Sequence, residues 1–312
     1  MLSQNIDQIK SDLNINKLDE TKYFPKYFEI ETVNACNARC IMCTVQEWNL
    51  SKSDEYIMSM ELFEKFVQEV SHYSDWIETV CLNRDGEPTL DKHLVQRVKM
   101  LKDVGIKKVT FSTNAQNLSN ELIAELLDAG LDDIMISIDG FSKNIFETIR
   151  KKLDFDKVME NTLNFIKTRN QLNSKCSIRI RAVKMDENQH ELEQWLTFWN
   201  DQLSDRDRAY IMPMHSWGNQ SYEEQDTKVK YYSNKACISP FSTMILHVDG
   251  TAPLCGCDYS VKHLLGKFPQ ESIKEIWNSD GFEKIRFAHE NSNRNEIELC
   301  QGCNIWDKNY EE

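Results

Sequence analysis

Between Tyr27 and Met212, short runs rich in β-branched and aromatic residues alternate with longer segments whose apolar residues recur at helical spacing. The β-rich runs fall at Tyr27–Thr32, Glu78–Leu82, Lys107–Ser112, Asp133–Ile138, Ser177–Val183 and Arg208–Met212. Between them, Leu62, Phe63, Phe66, Val67 and Val70 form one apolar stripe, with Ser59 placed to cap it. Leu122, Ile123, Leu126 and Leu127 form another, closed by Gly130. Strands separated by helices pair in parallel through right-handed crossovers. Six such units predict an α/β fold, a partial (β/α)6 barrel, with its chemistry on the loops that follow the strands.

The pattern changes after Asn219. Ser221–Asn234 is polar and turn-rich and reads as a linker. A β-hairpin is predicted next, from Met244–Val248 and Thr251–Leu254 around a turn at Asp249-Gly250. Two short helices follow, near Ser272–Asn278 and Phe282–His289. The expected organisation is an N-terminal extension (1–22), a barrel (23–219) and a small C-terminal domain (220–312). That tail is too small for a large core of its own, and a metal site would help to hold it together.

No stretch approaches the ~20 apolar residues of a membrane span, and the polar start, Met1 to Glu20, has no secretory core segment. A cytoplasmic protein without a membrane partner is expected. A net charge of −13 argues against nucleic acid, because phosphate binding wants a basic surface. Ten cysteines in a reducing compartment then point to metal or redox chemistry, not disulfides. Seven fall into two groups, while Cys81, Cys176 and Cys257 stand apart. Cys81, in an apolar run, is expected to be a buried small hydrophobe.

The first group, Cys36-Asn-Ala-Arg-Cys40-Ile-Met-Cys43, directly follows the first strand. Three thiolates so close can hold three irons of a [4Fe–4S] cluster and leave the fourth iron open to S-adenosylmethionine (AdoMet). A structural zinc site would normally take four protein ligands. The spacing and its post-strand context resemble the radical SAM superfamily. One departure is Met42, where the family usually has an aromatic residue; its thioether can still pack on the adenine edge. Other strand ends fit the resemblance. Asp85-Gly86-Glu87-Pro88 resembles the family's GGEP turn with Asp for the first Gly, which implies AdoMet contacts for Gly86 and Glu87. Ser112 and Asn114 end the third strand, and Ser137 and Asp139 the fourth, at positions where relatives place cofactor contacts. Arg150 matches the residue that binds the AdoMet carboxylate, a task suited to a planar guanidinium fork.

The tail holds Cys237, Cys255, Cys257 and the pair Cys300-Gln-Gly-Cys303. Cys237, Cys255, Cys300 and Cys303 supply four thiolates, enough to saturate a second [4Fe–4S] cluster, with Cys257 as a spare. The segment resembles Twitch, a shortened SPASM domain; a zinc-stabilised tail is the alternative. The resemblance implies two [4Fe–4S] clusters, AdoMet, and a one-electron donor such as flavodoxin or ferredoxin.

A fully ligated auxiliary cluster suits electron transfer, and the arrangement resembles aminocyclitol dehydrogenases. The expected activity is radical oxidation of a sugar-like or cyclitol alcohol to a ketone. The alternative is modification of a ribosomally made peptide, by crosslinking or epimerisation. Such enzymes often carry a winged-helix domain before the barrel, for which the about 26 residues before Tyr27 are too few. A non-catalytic metal-binding protein is the reading from another class. His215, beyond the sixth strand, is the candidate base. Arg181, on the fifth, is the candidate for binding substrate or AdoMet.

Overall fold

The protein's structure, a computed structural model, describes residues 2–44, 57–214, 217, 218, 220, 235–301 and 303. The six strands form where the sequence predicts them: β1 (Tyr27–Ile30), β3 (Thr79–Cys81), β4 (Val109–Thr113), β5 (Asp133–Ser137), β7 (Ser177–Lys184) and β8 (Arg208–Pro213). The two short strands between them, β2 (Arg39–Cys40) and β6 (Arg150–Lys151), pair with each other. A parallel sheet runs β8-β7-β5-β4-β3-β1 and continues into a seventh strand, β9 (Thr243–Leu246). Among the described residues, no helix is long and apolar enough to cross a membrane.

Helices cover one face of the sheet. Met60–Ser71 starts where Ser59 accepts from the Leu62 N–H and buries Phe63, Phe66, Val67 and Val70. Asn120–Asp128 is capped by Ser119 and ends before Gly130, whose φ of +89° suits a residue without a side chain. β7 reports the two-sided character of the sheet. Ile178, Ile180 and Ala182 are buried in the core with Phe165, Trp195 and Trp199, while Arg179, Arg181 and Val183 on the other face are half-buried. That second face is the polar inside of the partial barrel. Asp133 receives Thr110 and Arg179 there, Ser137 receives Arg181, and Tyr210 donates to Met135 Sδ at 3.0 Å. Cys81 belongs to this face. It is half-buried with Sγ 3.3 Å from Asn83 Oδ1, not a core hydrophobe, because the two-residue strand period turns it away from buried Val80.

The tail holds an antiparallel hairpin as expected, but not by pairing Met244–Val248 with Thr251–Leu254. The turn forms, with Gly250 N–H donating to His247 O and His247 N–H to Thr251 O. However, β9 leaves this turn to pair in parallel with β1, and β10 (Thr251–Pro253) pairs antiparallel with β11 (Leu264–Lys267). The physical reason lies in the strand itself. Met244, Ile245 and Leu246 are all buried, the signature of a strand covered on both faces, and β1 offers an open edge. The tail therefore shares the barrel's core through Met244, Leu246, Val248, Phe268, Ile273 and Trp277. Trp277 also donates through Nε1 to Thr21 O at 2.7 Å. The predicted linker 221–234 lies outside the described residues.

One buried ion pair locks the helix Phe155–Gln171 to the approach to β8. Arg169 donates through Nη1 and Nη2 to the two Asp207 oxygens at 2.9 and 2.7 Å, and neither side chain is exposed. Burial pushes the Asp207 pKa up, but Arg169 and the Ser204 and Ile178 donors outweigh it and hold the carboxyl at about 2. The folded value lies below the ordinary carboxyl value of about 3.9. The pair therefore stabilises the fold above about pH 4 and loses that contribution as pH falls toward 2. Asp207→Ala strands the Arg169 cation and should lower the unfolding free energy by about 3–5 kcal/mol in urea denaturation. Asp207→Asn should flatten the acid limb of stability against pH.

Candidate functional site

The loop after β1 crosses the C-terminal edge of the sheet and carries Cys36, Cys40 and Cys43, all half-buried and none in a disulfide. Its shape is dictated from three sides. Below, a Cβ on Gly86 would lie 2.0 Å from Val33 O, and Glu87 N–H donates to Ala35 O, so the Gly86-Glu87 turn seats directly against the loop's backbone. Beside it, Asn114 Nδ2 donates to Asn37 Oδ1 at 2.7 Å. Opposite, β2 pairs antiparallel with β6, placing Cys40 across from Arg150. The Arg150 guanidinium consequently lies 3.8 Å from Cys40 Sγ, with its Nε donating to Asp139 at 2.7 Å.

Burial pushes the Cys36 thiol up to about 11 and raises Cys40 above its ordinary value, against the pull of Arg150. Thiols held in this way become thiolates when a cation compensates the charge, and three sulfurs without a fourth on one short loop match an iron cluster with an open iron. The donor set fits the implied cluster.

The other residues singled out in the sequence divide by what occupies them. Glu87 is buried and its carboxylate accepts from Thr89, Thr113 and the Asn114 N–H, so it clamps the turn to the end of β4. Asp139 is equally committed, to Arg150 and to the Val183 N–H. Ser112 donates its N–H to Asn83 and faces the barrel interior. Met42 lies on the cysteine loop, where its carbonyl accepts from Trp217 Nε1 at 3.2 Å. Arg181 donates to Ser137 Oγ at 3.2 Å and forms no ion pair among the described residues. Burial, with Arg150 and Arg179 nearby, lowers its pKa. His215 lies outside the described residues.

Asp85, the departure from the family's GGEP turn, has a structural setting that no spacing signalled. Glu31, Asp85 and His247 bring one ligand atom each within 4.8 Å of one another, and His247 Nδ1 lies 3.0 Å from Glu31 Oε2. Three strand ends thus meet in one buried polar knot. Arg84 next to it pairs with Glu29 and hydrogen-bonds Gly256 O, reaching from the sheet to the second cysteine group.

In that group, Cys237, Cys255, Cys300 and Cys303 line one small cavity together with Leu254, His289 and Arg294. Cys257 is buried beside it, with its thiol within hydrogen-bond reach of Cys255 and Cys303. Burial raises the Cys237 and Cys300 thiols, and their neighbouring cysteines raise them further. Four sulfurs converging on one enclosed space suit a fully ligated cluster. The two groups meet at an aromatic contact: Tyr259 packs against Cys36, Cys43 and Trp217. Sequence reasoning missed His289, whose Nε2 is 3.6 Å from Cys300 Sγ and whose pKa is lowered to about 4 by burial and by Arg294. A lone histidine eleven residues before Cys300 gave no spacing signal.

Fold and cysteine placement together define a class, an α/β partial barrel with a cluster of cysteines on the loop after its first strand. The Radical SAM superfamily model matches residues 30–198, more than half of the chain, and an iron–sulfur cluster-binding SPASM domain model matches 237–304. The chain belongs to the radical SAM superfamily of enzymes. A probable GTP 3′,8-cyclase of Sulfurisphaera tokodaii is 33% identical over 44% of this chain and 42% of its own length. A tungsten-containing aldehyde ferredoxin oxidoreductase cofactor-modifying protein of Pyrococcus furiosus is 26% identical over 54% and 46%. The chain thus spans under half the length of these curated relatives. Among solved structures, SuiB of Streptococcus suis bound to precursor peptide SuiA has a TM-score of 0.66 at 14% identity, covering 91% of this chain and 70% of that one. BtrN in complex with AdoMet and 2-DOIA has a TM-score of 0.59 at 18%, covering 90% and 93%. Native anSMEcpe with bound AdoMet and Cp18Cys peptide has 0.63 at 16%, covering 89% and 88%. These likenesses concern the fold, and they single out none of the three.

Three substitutions test the site. Arg150→Ala should weaken AdoMet binding at least several-fold in equilibrium dialysis while iron content stays unchanged, since no thiol is removed. Cys255→Ala should lose the auxiliary iron whereas Cys257→Ala keeps it; the reverse pattern would reassign the fourth ligand.

Proposed function

We propose that the protein is a radical AdoMet enzyme with two [4Fe–4S] clusters that abstracts hydrogen from a peptide substrate. The observation that carries the radical reading is the three-thiol loop held beside the Arg150 guanidinium at the C-terminal edge of the sheet. When bound there, the reduced cluster and AdoMet supply a 5′-deoxyadenosyl radical. The chain's own residues do the rest. Cys36, Cys40 and Cys43 hold the cluster, and Arg150, oriented by Asp139, receives the AdoMet carboxylate. Gly86 and Glu87 shape a turn that would meet the AdoMet amino group. Arg181 presents a cation to the barrel interior, where an anionic group of AdoMet or substrate would find it. A one-electron donor such as flavodoxin or ferredoxin would prime the cycle.

Two observations favour a peptide. Two of the solved structures that share this fold, SuiB and anSMEcpe, are bound to peptides. In addition, the outer edge of β8 has no partner strand among the described residues, and an extended chain can add to such an edge. The second reading, oxidation of a sugar-like or cyclitol alcohol to a ketone, is favoured by the near end-to-end match with BtrN in complex with AdoMet and 2-DOIA. For a crosslink or a ketone, both two-electron oxidations, an auxiliary cluster held by Cys237, Cys255, Cys300 and Cys303 would supply an acceptor for the second electron, whereas epimerisation of a peptide would need none.

The test is anaerobic turnover with AdoMet and either candidate peptides or cyclitols. Each modified molecule should appear with one 5′-deoxyadenosine, and deuterium at the attacked carbon should appear in that nucleoside. A crosslinked peptide and a ketone both lose two hydrogens, but only the ketone reacts with hydroxylamine. Carbonyl trapping of a product made from a cyclitol, with no peptide consumed, would replace the peptide reading by the alcohol reading. Absence of 5′-deoxyadenosine with every substrate, from a colourless zinc protein, would remove both.

A further inference from the structure

His289 stands near the C-terminal end of the helix Asp280–Glu290 with only 1% of its surface exposed. Its two ring nitrogens face different parts of the auxiliary site. The Cys237 N–H donates to Nδ1 at 2.9 Å, so Nδ1 is the acceptor and the ring proton sits on Nε2. Nε2 in turn lies 3.6 Å from Cys300 Sγ. One imidazole therefore accepts from the backbone of one cavity-lining cysteine and points a donor at the sulfur of another. Its ring also lines the cavity that the four cysteines surround.

We propose that His289 is a positioning residue of the auxiliary cluster: its Nε2–H donates to the Cys300 thiolate and raises the cluster's reduction potential, equipping it to accept the electron left on substrate after hydrogen abstraction. The inference rests on the reading of this site as an iron–sulfur cluster. A hydrogen bond to a cysteinyl sulfur strengthens as the cluster gains negative charge, so it stabilises the reduced state more than the oxidised one. In a buried setting little water competes for the sulfur, and the effect of a single donor is enlarged. The Cys237 N–H fixes the tautomer, and without it the ring could turn an acceptor toward the thiolate instead.

The test is an EPR-monitored redox titration of the full-length holoprotein, with AdoMet added to separate the signal of the N-terminal cluster. His289→Asn keeps an acceptor for the Cys237 N–H but cannot reach Cys300, whereas His289→Gln restores an N–H at the Nε2 position. Both variants should retain the iron of the parent protein. At the parent's auxiliary midpoint, the reduced-to-oxidised ratio should fall about tenfold in the Asn variant, a 59 mV shift for a one-electron couple, and largely recover in the Gln variant. An unchanged midpoint in an iron-replete Asn variant overturns the proposal. Loss of auxiliary iron from either variant overturns it too, since His289 would then be needed for ligation. A parent protein with zinc in the tail site instead defeats the cluster reading beneath it, and the missing auxiliary EPR signal makes that failure distinct.

Discussion

The pairing of β1 with two parallel neighbours is the constraint on which both metal-capable sites depend. β1 lies between β3 and β9, and its register with β9 runs from Tyr27↔Thr243 to Ile30↔Leu246. Beyond that ladder, Glu31 N–H still donates to Leu246 O at 2.8 Å, so the strands leave the sheet side by side. One then becomes the loop with Cys36, Cys40 and Cys43, and the other turns at Gly250 toward Cys255 and Cys257. A Cβ on Gly250 would lie 1.9 Å from Phe268 O, so the turn tolerates no side chain. Two cysteine groups far apart in the chain thereby emerge from adjacent strands of one sheet.

The polar knot of Glu31, Asp85 and His247 sits at that point of emergence. Its members come from the end of β1, the turn after β3 and the end of β9. The Asp at the first position of the family's Gly-Gly-Glu-Pro turn therefore lies within 4.8 Å of the histidine that follows β9. Arg84 extends the connection, tying Glu29 on β1 to the Gly256 carbonyl between two tail cysteines. Movement of the tail relative to the barrel would have to break these buried polar contacts, and each broken one leaves a group desolvated without a partner. Barrel and tail are held as one body by charge as well as by the shared core.

Inside the barrel, arginines are distinguished by what neutralises them. Arg179 is held by Asp133 and Arg150 by Asp139, whereas Arg181 donates to the Ser137 hydroxyl and forms no ion pair among the described residues. Placing a cation on the inner face at half-burial costs desolvation that an anionic ligand would offset. The same face offers Tyr210 and Ser112, a polar lining suited to gripping a substrate.

Local chemistry was legible in the sequence. Six strands, the Ser59 and Ser119 caps, the Gly130 stop and the two tail helices could be read from periodicity and punctuation, since a strand's or helix's own residues carry that information. Cys36, Cys40 and Cys43 are neighbours by spacing alone. Only the tertiary structure decided which strand β9 would pair with, and so overturned the hairpin with Thr251–Leu254. Hydrogen-bond partners across a sheet are chosen by which edge is open, a property of the assembled sheet and not of the strand. The β2–β6 ladder that sets Arg150 beside Cys40, the knot around Asp85 and the His289–Cys300 contact belong to the same kind. Each joins residues whose separation in the chain carries no period, so their meeting is decided by packing, where the enclosed space determines which polar groups must satisfy one another.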